Sequence, residues 1–320
     1  MKILALFLGI ILVSSVLLSN QSFVEAVGEN KQSIPSWIKD VAGFWASNQI
    51  SDEEYLAAIQ WLIDNGILKV SQEQTGTIQS QTSSIQDVGD FYAVYSPINN
   101  PELKFLEKGF QKIKALEIIA DSVNLRFKLP YDVPLIFSEC GTQNAYYDSN
   151  KKELVFCYEL FAYYLLLFYN LGYDVPEASL KAAQVFAFVV YHELGHALID
   201  VYDLPTTGME EDSVDQLATL ILAKKKTGLQ ALESTSIWFA AEGVRESISD
   251  QLPFWDDHSL NQQRFFNVLC WMYGSSPEEY SSLVDDDLLP IERAVKCPSE
   301  YEKISKSWKT LLSPYADLEI

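Results

Sequence analysis

Residues 182–202 read AAQVFAFVVYHELGHALIDVY, and this stretch decides the fold. Apolar side chains would occur nearly all round a helix made of these residues, and such a helix must be buried inside its domain. Two signals for a helix start precede it, Asp174 and the pair Pro176-Glu177. The sequence therefore predicts one long helix, from Pro176 to Val201, through the middle of a domain.

The predicted helix carries the pattern HELGH at residues 192–196. Two histidines four residues apart lie one turn from each other on the same side of a helix, so both imidazoles can bind one zinc ion. Glu193 is placed to take a proton from a zinc-activated water. Polar groups are costly to bury in so apolar a helix unless a partner neutralises them, and a metal would be that partner. A chance pattern is the alternative, but only three histidines occur in the chain and two of them are His192 and His196.

A catalytic zinc site needs three protein ligands and an open fourth position. No histidine follows closely after His196, so a carboxylate must serve as the third ligand. The stretch GMEEDSVDQLATLILA (208–223) offers Glu210 and Glu211 on a second helix. Glu211 is favoured because Asp215 lies one turn further along the same face, where it could accept the remaining N–H of a zinc-bound histidine. The alternative for this stretch is an acidic helix start that the helix dipole favours.

HELGH followed by a Glu-x-x-x-Asp helix resembles the gluzincin metallopeptidases, of which thermolysin is the familiar member. The chain resembles more closely a family of metallopeptidase-like proteins without an assigned substrate. That resemblance rests on HELGHALIDVYDLPTTGMEEDSVDQ (192–216), NAYYD (144–148) and DHSLNQQRFFNVLCWMYG (257–274). It covers roughly residues 89–315 and implies a zincin fold, a bound zinc ion and hydrolysis of peptide bonds.

The resemblance also implies a substrate-binding strand. Thermolysin-like enzymes bind the substrate backbone with an edge strand that bears the pair Asn-Ala. Asn144 and Ala145 match that strand, which is consistent with peptide binding by strand addition. An ordinary hairpin asparagine is the alternative.

A further implied role is stabilisation of the oxyanion, for which thermolysin-like enzymes use a downstream histidine. His258 could take this role, with Asp256 or Asp257 raising its pKa so that it stays protonated. Arg264 follows by six residues and could add positive charge. The alternative is a capping or surface histidine, and one of the 17 tyrosines could replace it.

The four cysteines allow three disulfide connectivities. Cys140 and Cys157 flank NAYYDSNKKELVF, which reads as a hairpin turning at residues 148–150. We therefore expect Cys140 to pair with Cys157, and Cys270 with Cys297 across the acidic loop SSPEEYSSLVDDD. Reduced, buried cysteines are the alternative, whereas the absence of a CxxC pattern disfavours a zinc cluster.

The first 26 residues predict export. Lys2 precedes the apolar run 3–18, which has the charged start and apolar core of a secretory signal, and Val24 and Ala26 favour cleavage after Ala26. An uncleaved membrane anchor is the alternative, although the run is short of the ~20 residues that span a bilayer. In both cases the rest of the chain is secreted or lies at the cell surface, where disulfides are permissible.

Three segments follow the N-terminal signal. Residues 34–70 predict a small helical hairpin, in which Ser51 and Glu54 form a capping box, and they resemble a module of archaeal secreted proteins. Residues 71–88 are rich in Ser, Thr and Gln without apolar periodicity, which is typical of a linker. Residues 89–320 then form the zincin-like domain, an α+β fold that is mostly helical with a short sheet.

The composition restricts the partners. A formal net charge of −21 argues against nucleic acid, because phosphate binding needs a basic surface. The predicted partner is a peptide or protein substrate, with membrane contact only through an uncleaved N-terminal segment. Two alternatives stay open, a catalytically inactive zinc-binding module of the cell surface and a zinc hydrolase of a non-peptide amide or ester.

Overall fold

A computed structural model of the chain describes residues 86–248 and 252–316, together with Ser47 and Ser51. The chain divides into two compact units, residues 1–79 and 80–320. The predicted signal or anchor (1–26), the helical hairpin (34–70) and all but the last three residues of the linker (71–88) lie outside the described residues, apart from the two serines. Every feature below belongs to the second unit.

A four-stranded mixed sheet forms one side of this unit. Its strands are β1 (Phe91–Tyr95), β2 (Val133–Ser138), β3 (Ala145–Asp148) and β4 (Glu153–Cys157). The spatial order is β1-β2-β4-β3, with β1, β2 and β4 parallel and β3 antiparallel to β4. Alternate residues of β2 are buried, which is the pattern of a strand with one face against the core. The strand β3 lies at the edge of the sheet.

Helices make up most of the remainder, so the α+β class with a small sheet is confirmed. Two helices precede β2, and eight follow β4 among the described residues. They are α1 (Lys104–Ile113), α2 (Ala115–Asn124), α3 (Tyr158–Asn170), α4 (Val175–Val201), α5 (Glu210–Leu222), α6 (Lys226–Ser247), α7 (Asn261–Ser275), α8 (Ser282–Asp285), α9 (Ile291–Ala294) and α10 (Cys297–Leu312).

The long buried helix predicted from Pro176 to Val201 is confirmed as α4. Asp174 caps it by accepting a hydrogen bond from the backbone N–H of Glu177 at 2.9 Å. Among the described residues, α4 is the helix long and apolar enough to cross a membrane, but 72% of its most apolar window is buried inside the unit. It packs against α3, α5 and α6, so its apolar character is that of a core helix.

A glycine in α4 lets α5 approach closely. A Cβ atom on Gly195 would lie 2.7 Å from Cγ1 and 2.8 Å from Cβ of Val214, distances too short for ordinary van der Waals contact. Because Gly195 stands between the two histidines of the HELGH pattern, the close approach brings the start of α5 beside both of them.

Both predicted disulfides are present. Cys140 pairs with Cys157, which joins the segment before the β3–β4 hairpin to the end of β4. Cys270 pairs with Cys297, which joins α7 to the first turn of α10. Two disulfides are typical of proteins that fold in oxidising compartments outside the cytoplasm.

Candidate metal centre

The HELGH residues face a large cavity between α4, α5, the β3 edge and the loop before α7. Its volume is about 1190 Å³. The helix α4 contributes His192, Glu193 and His196, and α5 contributes Glu211. His258 reaches the same cavity from the loop between α6 and α7. The structure therefore brings together residues that are up to 66 positions apart in the chain.

Three imidazole nitrogens converge on a single carboxylate oxygen. Oε2 of Glu211 lies 3.0 Å from Nε2 of His192, 3.4 Å from Nε2 of His196 and 2.9 Å from Nε2 of His258. This oxygen is buried, yet none of the three nitrogens is aligned to give it a hydrogen bond. A buried carboxylate oxygen without a hydrogen bond is costly, and such an atom needs a partner of another kind.

Carboxylates on the other side of the rings determine which nitrogen carries the proton. Nδ1 of His192 is 2.7 Å from Oδ1 of Asp215, and Nδ1 of His196 is 2.7 Å from Oε1 of Glu210. An ionised carboxylate only accepts hydrogen bonds, so Nδ1 must donate in both pairs. In the neutral imidazole, Nε2 then carries a lone pair that faces Glu211.

The two glutamates at the start of α5 thus have different positions. Glu211 lies between the inner nitrogens of the histidines, whereas Glu210 binds the outer nitrogen of His196. Asp215 occupies the position that the sequence suggested for it, against the outer nitrogen of His192. The contact between Glu210 and His196 was not predicted, because it depends on how α4 and α5 pack.

The loop before α7 places Asp256 beside His258. Oδ1 of Asp256 accepts a hydrogen bond from the backbone N–H of His258 at 2.9 Å and lies 3.3 Å from its Nδ1. The sequence left Asp256 and Asp257 as equal candidates, and in the structure the nearer carboxylate is that of Asp256. Donation of the backbone hydrogen bond lowers the pKa of the Asp256 carboxyl and keeps it ionised.

Arg264 lines the cavity and pairs with Asp215, a partner that was not predicted from the sequence. Its Nε and Nη2 donate to the two carboxylate oxygens of Asp215 at 2.8 and 2.9 Å, and its guanidinium lies 4.3 Å from the centre of the Phe239 ring. Arg264 is only 9% exposed. Its guanidinium therefore neutralises Asp215 at the wall of the cavity, and the positive charge expected beside the oxyanion stays a prediction.

Electrostatics hold these groups in defined charge states. Burial would raise the pKa of Glu211, but the surrounding histidines lower it far below its ordinary value. Burial likewise opposes ionisation of Asp215, and Arg264 and His192 overcome it and keep its pKa low. For His192, burial favours the neutral ring, but Asp215 and Glu211 raise its pKa to about 9. The low pKa values of the two carboxyls and the raised pKa of His192 all show that the carboxylates favour positive charge beside them.

Glu193 differs from Glu211, Asp215 and Asp256 because it makes no ion pair with any described residue. It is 7% exposed and lines the cavity next to the first histidine. Burial raises its pKa, although the charges of His192 and His196 oppose the rise. A carboxylate of raised pKa is a stronger base than an exposed one, as a proton-accepting residue requires.

The β3 edge strand forms one wall of the cavity. Asn144 and Ala145, which the sequence singled out, both line it. The hydroxyl of Tyr147 donates to Oδ2 of Asp200 in the last turn of α4 at 2.6 Å, and Lys152 pairs with the same carboxylate. These contacts fix the hairpin to the helix that carries the histidines.

A second cluster of residues that line the cavity was not predicted from the sequence. Tyr163 of α3 donates a hydrogen bond to Glu242 of α6, and Nη1 of Arg245 lies 2.8 Å from the same carboxylate. All three residues line the cavity. The sequence analysis did not predict α6, so no signal connected Glu242 and Arg245 with the site.

The helix, the converging imidazoles and the buried carboxylate define a candidate metal centre in a substrate-sized cavity. Residues 95–312 match the model of the family DUF4344, described as "Putative metallopeptidase", and the chain belongs to this family. Membership indicates a peptidase that uses a metal ion and acts on peptides or proteins. No curated protein and no solved structure gives a significant match to the chain.

The residues present fit the metal ion that the family implies. The buried Oε2 of Glu211 has no hydrogen bond from any described residue, and the neutral rings of His192 and His196, protonated at Nδ1, would direct their Nε2 lone pairs at the same space. Lone pairs of imidazole and carboxylate repel one another unless a cation lies between them. Two or three imidazoles with one carboxylate form a donor set that suits zinc.

Proposed function

We propose that the chain is a secreted or surface-located zinc metallopeptidase of the gluzincin type, with a zincin-like domain at residues 89–320. His192, His196 and Glu211 would hold the ion, and Asp215 and Glu210 would orient the two histidines. One observation carries the proposal, the convergence of histidine Nε2 atoms on a buried Glu211 oxygen that has no hydrogen bond. The two disulfides support a location outside the cytoplasm.

A zinc ion held by these residues would activate a water molecule and polarise the scissile carbonyl group. Glu193 takes the proton from the attacking water, because it is the carboxylate in the cavity that is buried and free of ion pairs. Its raised pKa favours this transfer, and Glu193 then passes the proton to the leaving amine.

His258 would stabilise the oxyanion of the tetrahedral intermediate by donating a hydrogen bond from its ring. Asp256 holds the ring through its backbone and side-chain contacts. Arg264 is a positioning residue, since it fixes Asp215, which in turn orients His192. Such outer partners keep the tautomer and the direction of a ligand ring.

The substrate backbone would pair with the free edge of β3. The other edge of this strand is bonded to β4, so among the described residues no strand pairs with its outer N–H and C=O groups. An extended peptide can add to such an edge by main-chain hydrogen bonds. Asn144 and Ala145 lie at the start of this edge and line the cavity.

The test is zinc content by mass spectrometry together with hydrolysis of casein, measured on the same samples. Glu211→Ala should lose zinc and activity, whereas Glu193→Gln should keep one zinc per chain and lose hydrolysis. Asp212→Ala is the matched control, because Asp212 lies in the same acidic turn without contact to the histidines, and it should keep both. Absence of zinc from the folded wild-type protein would refute the proposal. Zinc without hydrolysis of any peptide would favour a metal-binding module or a hydrolase of another amide or ester.

A further inference from the structure

His258 approaches Glu211 as closely as the histidines of the HELGH pattern do. Its Nε2 is 2.9 Å from Oε2 of Glu211, compared with 3.0 Å for His192 and 3.4 Å for His196. One ligand atom from each of His192, Glu211 and His258 lies within 4.8 Å of the others. By its distance from Glu211, His258 is as well placed to bind a cation as His192 and His196.

The orientation of the His258 ring supports the same reading. Its plane is within 11° of the His192 ring, with the ring centres 6.0 Å apart. Its Nδ1 faces the carboxylate of Asp256, as Nδ1 of His192 faces Asp215. A carboxylate on the outer nitrogen and a free inner nitrogen is the arrangement that orients metal-binding histidines.

We infer that His258 is a fourth protein ligand in the resting protein, beside His192, His196 and Glu211. The inference rests on the metal site of the proposed function and adds a state that precedes substrate binding. Four protein ligands close a zinc site, whereas catalysis needs one open position. His258 would therefore leave the ion when substrate enters, and its Nε2, after taking up a proton from solvent, would be available to donate a hydrogen bond to the oxyanion.

The loop that carries His258 would allow the side chain to move away from the ion. The His258 side chain is 44% exposed, compared with 7% for His192 on the buried helix. Phe254 and Trp255 of the same loop are 77% and 70% exposed, so the loop buries little apolar surface. Movement of His258 would thus cost little burial, whereas movement of His192 would expose a side chain that is buried on α4.

X-ray absorption at the zinc edge of the zinc-loaded full chain tests the inference directly. The wild-type protein should show three imidazoles at about 2.0–2.1 Å from the ion, and His258→Ala should show two. The dissociation constant for zinc, measured by competition with a chelator, should rise about tenfold or more in His258→Ala, as it does when ligand support is lost. Trp255→Ala is the control within the same loop and should keep three imidazoles and the wild-type affinity.

The outcomes separate the two proposals. Two imidazoles in the wild-type protein, with unchanged zinc affinity in His258→Ala, would overturn the fourth ligand and leave the proposed peptidase intact. No bound zinc at all would overturn both. Three imidazoles in wild type that fall to two in His258→Ala would establish the closed resting site, because a role confined to the oxyanion leaves the metal spectrum unchanged.

Discussion

Replacing Arg264 by methionine should destabilise the domain by about 3–5 kcal/mol, the cost of removing one partner from a buried ion pair. The two hydrogen bonds to Asp215, at 2.8 and 2.9 Å, each involve two charged groups, and such bonds contribute about 1.5–3 kcal/mol each. The contributions of the two hydrogen bonds together fall in the same range as the cost of breaking the ion pair. Asp215 is 2% exposed, so water cannot replace the lost guanidinium.

His192 limits the loss. Its contact with Asp215 remains in Arg264→Met, and protonation of His192 can neutralise part of the uncovered charge. We therefore expect the lower end of the range, about 3 kcal/mol, in metal-free protein. For a unit of this size that corresponds to a fall of about 6–12 °C in Tm.

The assay is urea unfolding of the metal-free, disulfide-intact chain at pH 7, followed by tryptophan fluorescence. Arg293→Met is the matched control, because Arg293 also binds a carboxylate with two nitrogens, at 2.6 and 2.8 Å from Glu300. That pair is about one-third exposed, so its loss should cost less than about 1 kcal/mol.

Equal losses for Arg264→Met and Arg293→Met would refute the argument from burial. A second variant, Arg264→Met combined with Asp215→Asn, removes the uncovered charge. It should recover part of the loss, since replacing both charged partners leaves no unpaired charge buried. If the combined variant were less stable than the sum of the single changes, the Asp215 charge would not be the source of the cost.

Three further changes probe the neighbourhood of α4. Gly195→Ala should destabilise the domain by about 1–2 kcal/mol in urea unfolding, because the new methyl group would overlap Val214, although alanine favours the helix. In metal-free protein the pKa of His192 is about 9, above the ordinary value of about 6.5. Protonated His192 therefore stabilises the folded state fully below pH 6.5, and this stabilisation is lost as pH rises through 9. The urea midpoint should fall over that interval. Tyr147→Phe removes a hydrogen bond that helps Lys152 to lower the pKa of Asp200 against the effect of burial, so a carbon NMR titration should show that pKa rising.

Each of these changes has its own control. Gly195→Ala should destabilise the Val214→Ala variant less than it destabilises the wild-type protein. If the two losses of stability were strictly additive, an overlap between the new methyl group and Val214 would be excluded. His192→Gln should flatten the fall of the urea midpoint between pH 6.5 and 9, and an unchanged slope would assign it to another group. Tyr146→Phe, on the neighbouring residue, should leave the titration of Asp200 unaltered.

The long helix and its chemistry were predictable because both follow from local spacing. The apolar run fixed α4, and four-residue spacing placed His192 beside His196 and Glu211 above Asp215. The disulfide between Cys140 and Cys157 was predictable for a similar reason, since a short hairpin separates the two residues. Periodicity describes one element at a time, and these features each belong to one element or to two adjoining ones.

The contacts between distant elements were not predictable. Arg264 lies 49 residues from Asp215 and reaches it through the packing of α7 against α5, which no spacing in the sequence predicts. Glu210 was weighed against Glu211 as the third ligand, but its contact with Nδ1 of His196 was not predictable because it depends on the packing of α4 against α5. The choice between Asp256 and Asp257 depends on an irregular loop, where no period applies.

Concentration of every histidine of the chain in one cavity gives the protein a built-in spectroscopic probe. The sequence contains three, and all of them surround Glu211. Isotope labelling of histidine alone would therefore yield an NMR spectrum that contains only the metal centre, without background from the rest of the chain. For the same reason, a reagent selective for imidazole would react nowhere else, and a polyhistidine tag would add competing imidazoles to a chain that has no histidine outside the site.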